Sequence, residues 1–222
     1  MNPAELFSVL VDMNLTFVPI LVLAGSLGLA AQEREVDGNT ITSSATPAVR
    51  LVLDDALEYV GGQTIMLSST TRAEQHFYVE ADGPRIRRLY WLQFEGKVGG
   101  RGRPYDYSRD PVVDIAGKSF HTNYRFYPPS GFAGPKGSDG DQGRELIEGK
   151  GYTLGSDLAR VRLVWLLGDP PLDELMIIYL EDLDQHELTV SELESDESRW
   201  EAFKKGLRER AVEGMRIIPL DN

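Results

Sequence analysis

The sequence predicts an α+β fold: one domain with a mainly antiparallel sheet, free to curl, covered by an N-terminal helix and a C-terminal helical segment. Three observations carry this. Five or six short runs alternate apolar and polar residues or are rich in β-branched and aromatic ones, and turn residues join them. One early segment repeats its apolar residues at a 3.6-residue period. The last forty residues or so hold two capping signatures ahead of apolar residues at helical spacing.

The elements follow in chain order. Leu15 to Ala31 is an uncharged run of 17 residues, short for a membrane span, which wants about 20. It suits the apolar region of a signal peptide closed by Gly28-Leu29-Ala30, and the alternatives are an uncleaved N-terminal anchor and an internal core helix. No Lys or Arg precedes Arg34, so a start at Met13 fits such a signal better than one at Met1. Residues 1–31 are thus expected to be signal or anchor, residues 32–46 a polar tether, and residues 47–222 the single domain. Thr46 and Pro47 read as a helix start, Val49, Val52, Leu53, Ala56, Leu57 and Val60 as one stripe, and Gly61-Gly62 as the stop. Strands are expected at 63–69, 74–80 and 86–95, the last two as a hairpin around Asp82-Gly83-Pro84. Further strands are expected at 118–127, 159–167 and 174–180, with a short one at 215–219. Thr189-x-x-Glu192 and Ser198-x-x-Glu201 match capping boxes. Residues 96–111 and 128–151 read as long Gly/Pro loops, a length that is uncommon unless functional or disordered.

Composition excludes several classes. There are 23 Lys+Arg against 35 Asp+Glu, a net charge of −12 that argues against nucleic acid as partner. There is no cysteine, hence no disulfide, thiolate catalysis or zinc–cysteine site. Gly117-Lys118-Ser119 ends like a phosphate loop, but Val112 stands where its first glycine belongs. His186-Glu187 opens like a zinc-protease helix, but the second histidine is replaced by Val190. Asp139-Gly140-Asp141 opens like a calcium loop, but Lys150 occupies the twelfth position, leaving at best a loose site with Glu145. No cofactor and no metal is expected. Glu181, Asp182 and Asp184 cluster after a strand, as catalytic, solvated or capping carboxylates do.

Two patterns remain. Residues 85–109 carry seven Lys or Arg against two acids, and residues 169–201 carry twelve acids against Arg199. Either the two segments face each other or each meets an oppositely charged partner. Strand 118–127 puts Phe120, Thr122, Tyr124 and Phe126 on one face and Ser119, His121, Asn123, Arg125 and Tyr127 on the other. On a curled sheet that polar row would line a pocket. The expected ligand-binding residues are therefore Arg101, Arg103, Ser119, His121, Asn123, Arg125 and Tyr127. The implied function is a secreted or periplasmic, non-catalytic binding module for a small, anionic ligand or an envelope component. The alternatives are an extracytoplasmic hydrolase or isomerase using His121 with a carboxylate, and an interaction module presenting acidic C-terminal helices. Contact with a membrane would come only through an uncleaved N-terminal segment.

Overall fold

The structure, a computed structural model, describes residues 34–127 and 134–220. The expected signal or anchor and the Met13 start lie outside the described residues. The described residues form one compact unit.

Among the described residues that unit is sheet-rich and built from two antiparallel sheets, and the larger one is not closed into a barrel. The smaller contains β1 (Arg34–Asp37), β2 (Thr40–Ser43), β3 (Val49–Leu53) and β11 (Met215–Pro219), in that order. The larger has the order β4-β5-β6-β10-β9-β8-β7. Its strands are β4 (Glu58–Ser68), β5 (Thr71–Asp82), β6 (Arg85–Lys97), β7 (Val112–Ile115), β8 (Lys118–Tyr127), β9 (Leu158–Leu167) and β10 (Asp173–Asp182). Among the described residues three α-helices complete it: α1 (Asp139–Gly149), α2 (Val190–Ser195) and α3 (Glu197–Glu213). The expected β5–β6 hairpin is present, and Tyr78 lies opposite Tyr90 across it.

Four expectations are corrected. The helix expected from Pro47 is instead β3, a turn and β4. Val49, Leu51 and Leu53 are buried at every second position, and Arg50 is exposed. Asp54 then turns the chain, its Oδ1 accepting from the Ala56 amide at 2.8 Å. Gly61-Gly62 does not stop a helix. The β4–β5 register shifts there, and a Cβ on Gly62 would meet the Gln75 carbonyl oxygen at 2.7 Å. The tether expected over 32–46 includes the β1–β2 hairpin, turned at Gly38 with φ +53. The loops at 96–111 and 128–151 reach up to β7 and hide α1. At α3 the N-cap is Asp196, accepting from the Arg199 amide, rather than Ser198. The Thr189–Glu192 box does cap α2.

The larger sheet carries a core on each face. On one, Leu92, Ile177 and Tyr90 pack against Ile41, Leu51 and Ile217 of the smaller sheet and against Leu207 and Ala211 of α3. On the other, Phe77, Trp91, Leu89 and Ile178 meet Ile147 of α1. Gly143 lets α1 settle onto β5, since a Cβ there would stand 2.9 Å from the Phe77 ring. Arg34 of β1 spans the two sheets, pairing with Glu74 of β5 at 2.9 Å.

Candidate functional site

The second face of the large sheet is unevenly covered, and this makes a cavity. α1 lies over the β4–β5 side, where Leu146 approaches Gly61 and Gly143 approaches Phe77. The segment from Tyr105 to Asp110 crosses the β6–β10 end of the same face. Tyr105 Oη donates to Glu95 at 2.7 Å, Tyr107 Oη donates to Glu174 at 3.1 Å, and Asp110 pairs with Arg162 at 3.3 Å. Between these covers and the stretch Gly134–Gly140 is a cavity of about 290 Å³.

Strand register decides what lines it. Alternation sends Phe120, Tyr124 and Phe126 of β8 into the first core. The opposite side chains therefore lie on the second face, where Asn123 is opposite Arg162 and Arg125 opposite Arg160. Arg162 lies opposite Ile178, which in turn lies opposite Trp91. The lining thus runs from Trp91 and Ile178 on β6 and β10 to Arg160, Arg162 and Arg125 on β9 and β8.

Cations outnumber their partners here. The lining includes one carboxylate, Asp139, whose Oδ1 accepts from the Gly140 amide. Among the described residues Arg160 forms no ion pair, and its side chain donates to Asn123 Oδ1 at 2.8 Å. The Nε atoms of Arg160 and Arg162 are buried and have no acceptor among the described residues, nor has the indole N–H of Trp91. Burial, with the guanidiniums of Arg162 and Arg125 nearby, pulls Arg160 down to about 10 despite the Tyr127 ring and Asp139. Arg160 still carries its charge at neutral pH, so the site holds unneutralised positive charge.

Of the residues singled out from the sequence, Arg125 and Tyr127 line the cavity, and Asn123 holds Arg160 beside it. His121 shares the face but not the lining, with its ring 6.0 Å from that of Tyr107. Its buried Nδ1 has no hydrogen-bond partner among the described residues. Ser119 is exposed opposite Asp114 of β7. Arg101 and Arg103 are exposed at the end of β6, where the Val98 amide bonds the Thr70 carbonyl. Neither arginine is part of the cavity lining.

Sequence reasoning missed Trp91, Arg160, Arg162, Met176 and Ile178. The signal was Arg160 and Arg162 at alternate positions in an otherwise apolar strand, where a charge needs a reason. The carboxylates of 181–184 have structural partners. Glu181 pairs with Arg210 at 2.7 Å and His186 at 2.9 Å, and Asp182 with Arg85 at 2.6 Å. The basic and acidic segments therefore do meet, in part. Asp141 of the calcium-like loop accepts from the Gly137 amide at 2.8 Å and pairs with Arg144 at 3.0 Å. A larger cleft of about 370 Å³ near Arg34, Arg72 and Lys97 also contains Glu74, Glu95 and Asp173, so its charges balance.

No family model matches the chain, and neither the curated proteins nor the solved structures include one significantly similar to it.

Proposed function

We propose that this protein is a non-catalytic binding module that takes a small anionic ligand in the arginine cavity. The observation that carries the reading is the convergence of Arg125, Arg160 and Arg162 on one cavity whose lining, among the described residues, has a single carboxylate. Guanidiniums on rigid strands are pre-aimed donors, and an acid group among them would neutralise charge that the fold leaves uncompensated. We place the module outside the cytoplasm, secreted or periplasmic, on the strength of the uncharged run over 15–31 closed by small residues.

Thermal shift in millimolar benzoate or inorganic phosphate tests the binding reading. Wild type and Arg101→Ala are expected to gain thermal stability equally, and Arg125→Ala to gain little or none. Arg125 is exposed, so its removal should leave the fold intact. Equal gains in wild type and Arg125→Ala, or no gain in wild type, would overturn it.

A further inference from the structure

The cavity has a direction. Across the sheet, neighbouring strands are about 4.8 Å apart. Trp91 lies on β6 and Ile178 and Met176 on the adjacent β10, and all three are nearly inaccessible to solvent. Arg162 and Arg160 follow on β9 and Arg125 on β8. The lining is thus apolar at one end and cationic at the other, with one to two strand spacings, about 5–10 Å, between them. A bare inorganic anion would use only the cationic end, leaving the apolar floor unused.

Trp91 adds a requirement. It is 4% exposed, it lines the apolar end, and its indole N–H has no acceptor among the described residues. A buried donor without an acceptor is destabilising, so an occupant carrying an oxygen at that end would be favoured. Aromatic and thioether side chains make a floor suited to a planar ring.

Resting on the anion-binding reading above, we infer that the ligand class is an amphipathic aromatic acid. Its ring lies over Trp91, Met176 and Ile178, and its carboxylate or phosphate head reaches the guanidiniums of β9 and β8. A hydroxyl or carbonyl oxygen on the ring, at the end away from the head, accepts from the Trp91 indole. The shared feature is an anionic head about 5–10 Å from the far edge of a planar apolar body, and the two head types are separated by test.

Titration calorimetry on the full chain uses acetate, inorganic phosphate, phenyl phosphate, 3-phenylpropionate, 3-(4-hydroxyphenyl)propionate and the neutral 3-phenylpropanol. The two aryl acids or phenyl phosphate are expected to bind at least about tenfold more tightly than acetate and inorganic phosphate, and 3-phenylpropanol not to bind measurably. Which of the aryl acids and phenyl phosphate is tighter identifies the head. Arg125→Gln is expected to weaken every anion at least about tenfold. Trp91→Phe should erase the preference for the hydroxylated acid over the plain one. Because that variant removes a buried side chain, the wild-type indole N–H resonance of Trp91 is a second readout, expected to shift with the hydroxylated acid. If small inorganic anions bind as tightly as aryl acids and Arg125→Gln weakens them, anion binding stands and the aromatic class is overturned. If 3-phenylpropanol binds as well as the acids and Arg125→Gln changes nothing, or if no probe binds, both readings are overturned.

Discussion

Glu174 on β10 is 1% exposed, and its Oε2 has no hydrogen-bond partner among the described residues. Burial, then the neighbouring Glu95 carboxylate, push its carboxyl up to about 8. Burial raises Glu95 as well. Glu174 therefore keeps its proton at neutral pH in the fold, whereas the unfolded chain ionises near 4.5. The folded state binds the extra proton, so this stabilisation is complete below about 4.5 and is lost as pH rises through about 8. Glu174→Gln keeps the shape of the neutral acid without a titrating group. Urea unfolding across this range should show wild type losing up to about 1.4 kcal/mol per pH unit from this group. The variant's slope should be shallower, and the variant should be the more stable protein at the alkaline end. Parallel slopes would contradict the assignment. Opposite behaviour holds for Glu181: burial disfavours its charge, but His186, Arg210 and Tyr179 outweigh that and hold it down to about 2.

The stretch 49–60 shows how one sequence serves two periodicities. Read as a helix, its stripe includes Val52, Leu53 and Ala56 and leaves Leu51 off. In the fold, Leu51 and Leu53 are both buried on β3, and Ala56 is exposed in the turn. Leu51→Ala and Leu53→Ala are therefore both expected to cost about 2–5 kcal/mol. Asp55→Ala, in the exposed turn, should stay within about 0.5 kcal/mol. Chemical denaturation of the three variants checks this, and a neutral Leu51→Ala would speak for a helix instead. The same logic explains α1. Ser138 caps it through an Oγ that accepts from the Asp141 amide at 3.2 Å. The surrounding glycines make the segment look like continuous loop in sequence.

The two sheets are tied by a buried polar chain as well as by the apolar core. Tyr59 Oη lies 3.1 Å from His76 Nδ1, His76 Nε2 lies 3.0 Å from Glu74, and Glu74 accepts from Arg34 at 2.9 Å. Burial opposes the charge on Glu74, yet the bonds from His76 and Arg34 hold its carboxyl below the usual range. Arg34→Met would leave that buried carboxylate with His76 alone, and a buried charge that loses its cationic partner costs up to about 3–5 kcal/mol. Arg34→Met combined with Glu74→Gln should be more stable than Arg34→Met alone, because no buried carboxylate short of a cation is then left. Thermal or urea unfolding of the single and double variants measures this, and a double variant less stable than Arg34→Met alone would contradict it.

Local chemistry was enough for six strands and for one capped helix. β5, β6, β8, β9, β10 and β11 declare themselves because a half-buried strand must alternate or be β-rich, and that is a property of adjacent residues. The Thr189 box is legible because its partners lie three residues apart. The β1–β2 hairpin is not legible, since its polar residues gain their place from Glu74, forty residues away from Arg34. The helix expected from Pro47 fails for the related reason that burial by a distant strand, β11, selects between two periods that the apolar residues allow equally. The cavity depends most on tertiary structure. Arg125 and Tyr127 could be singled out on β8, but Arg160, Arg162 and Trp91 join them only through the order β6-β10-β9-β8. That order needs β6 to pair with β10 and β8 with β9, strands far apart in the chain, and no local run of residues encodes it.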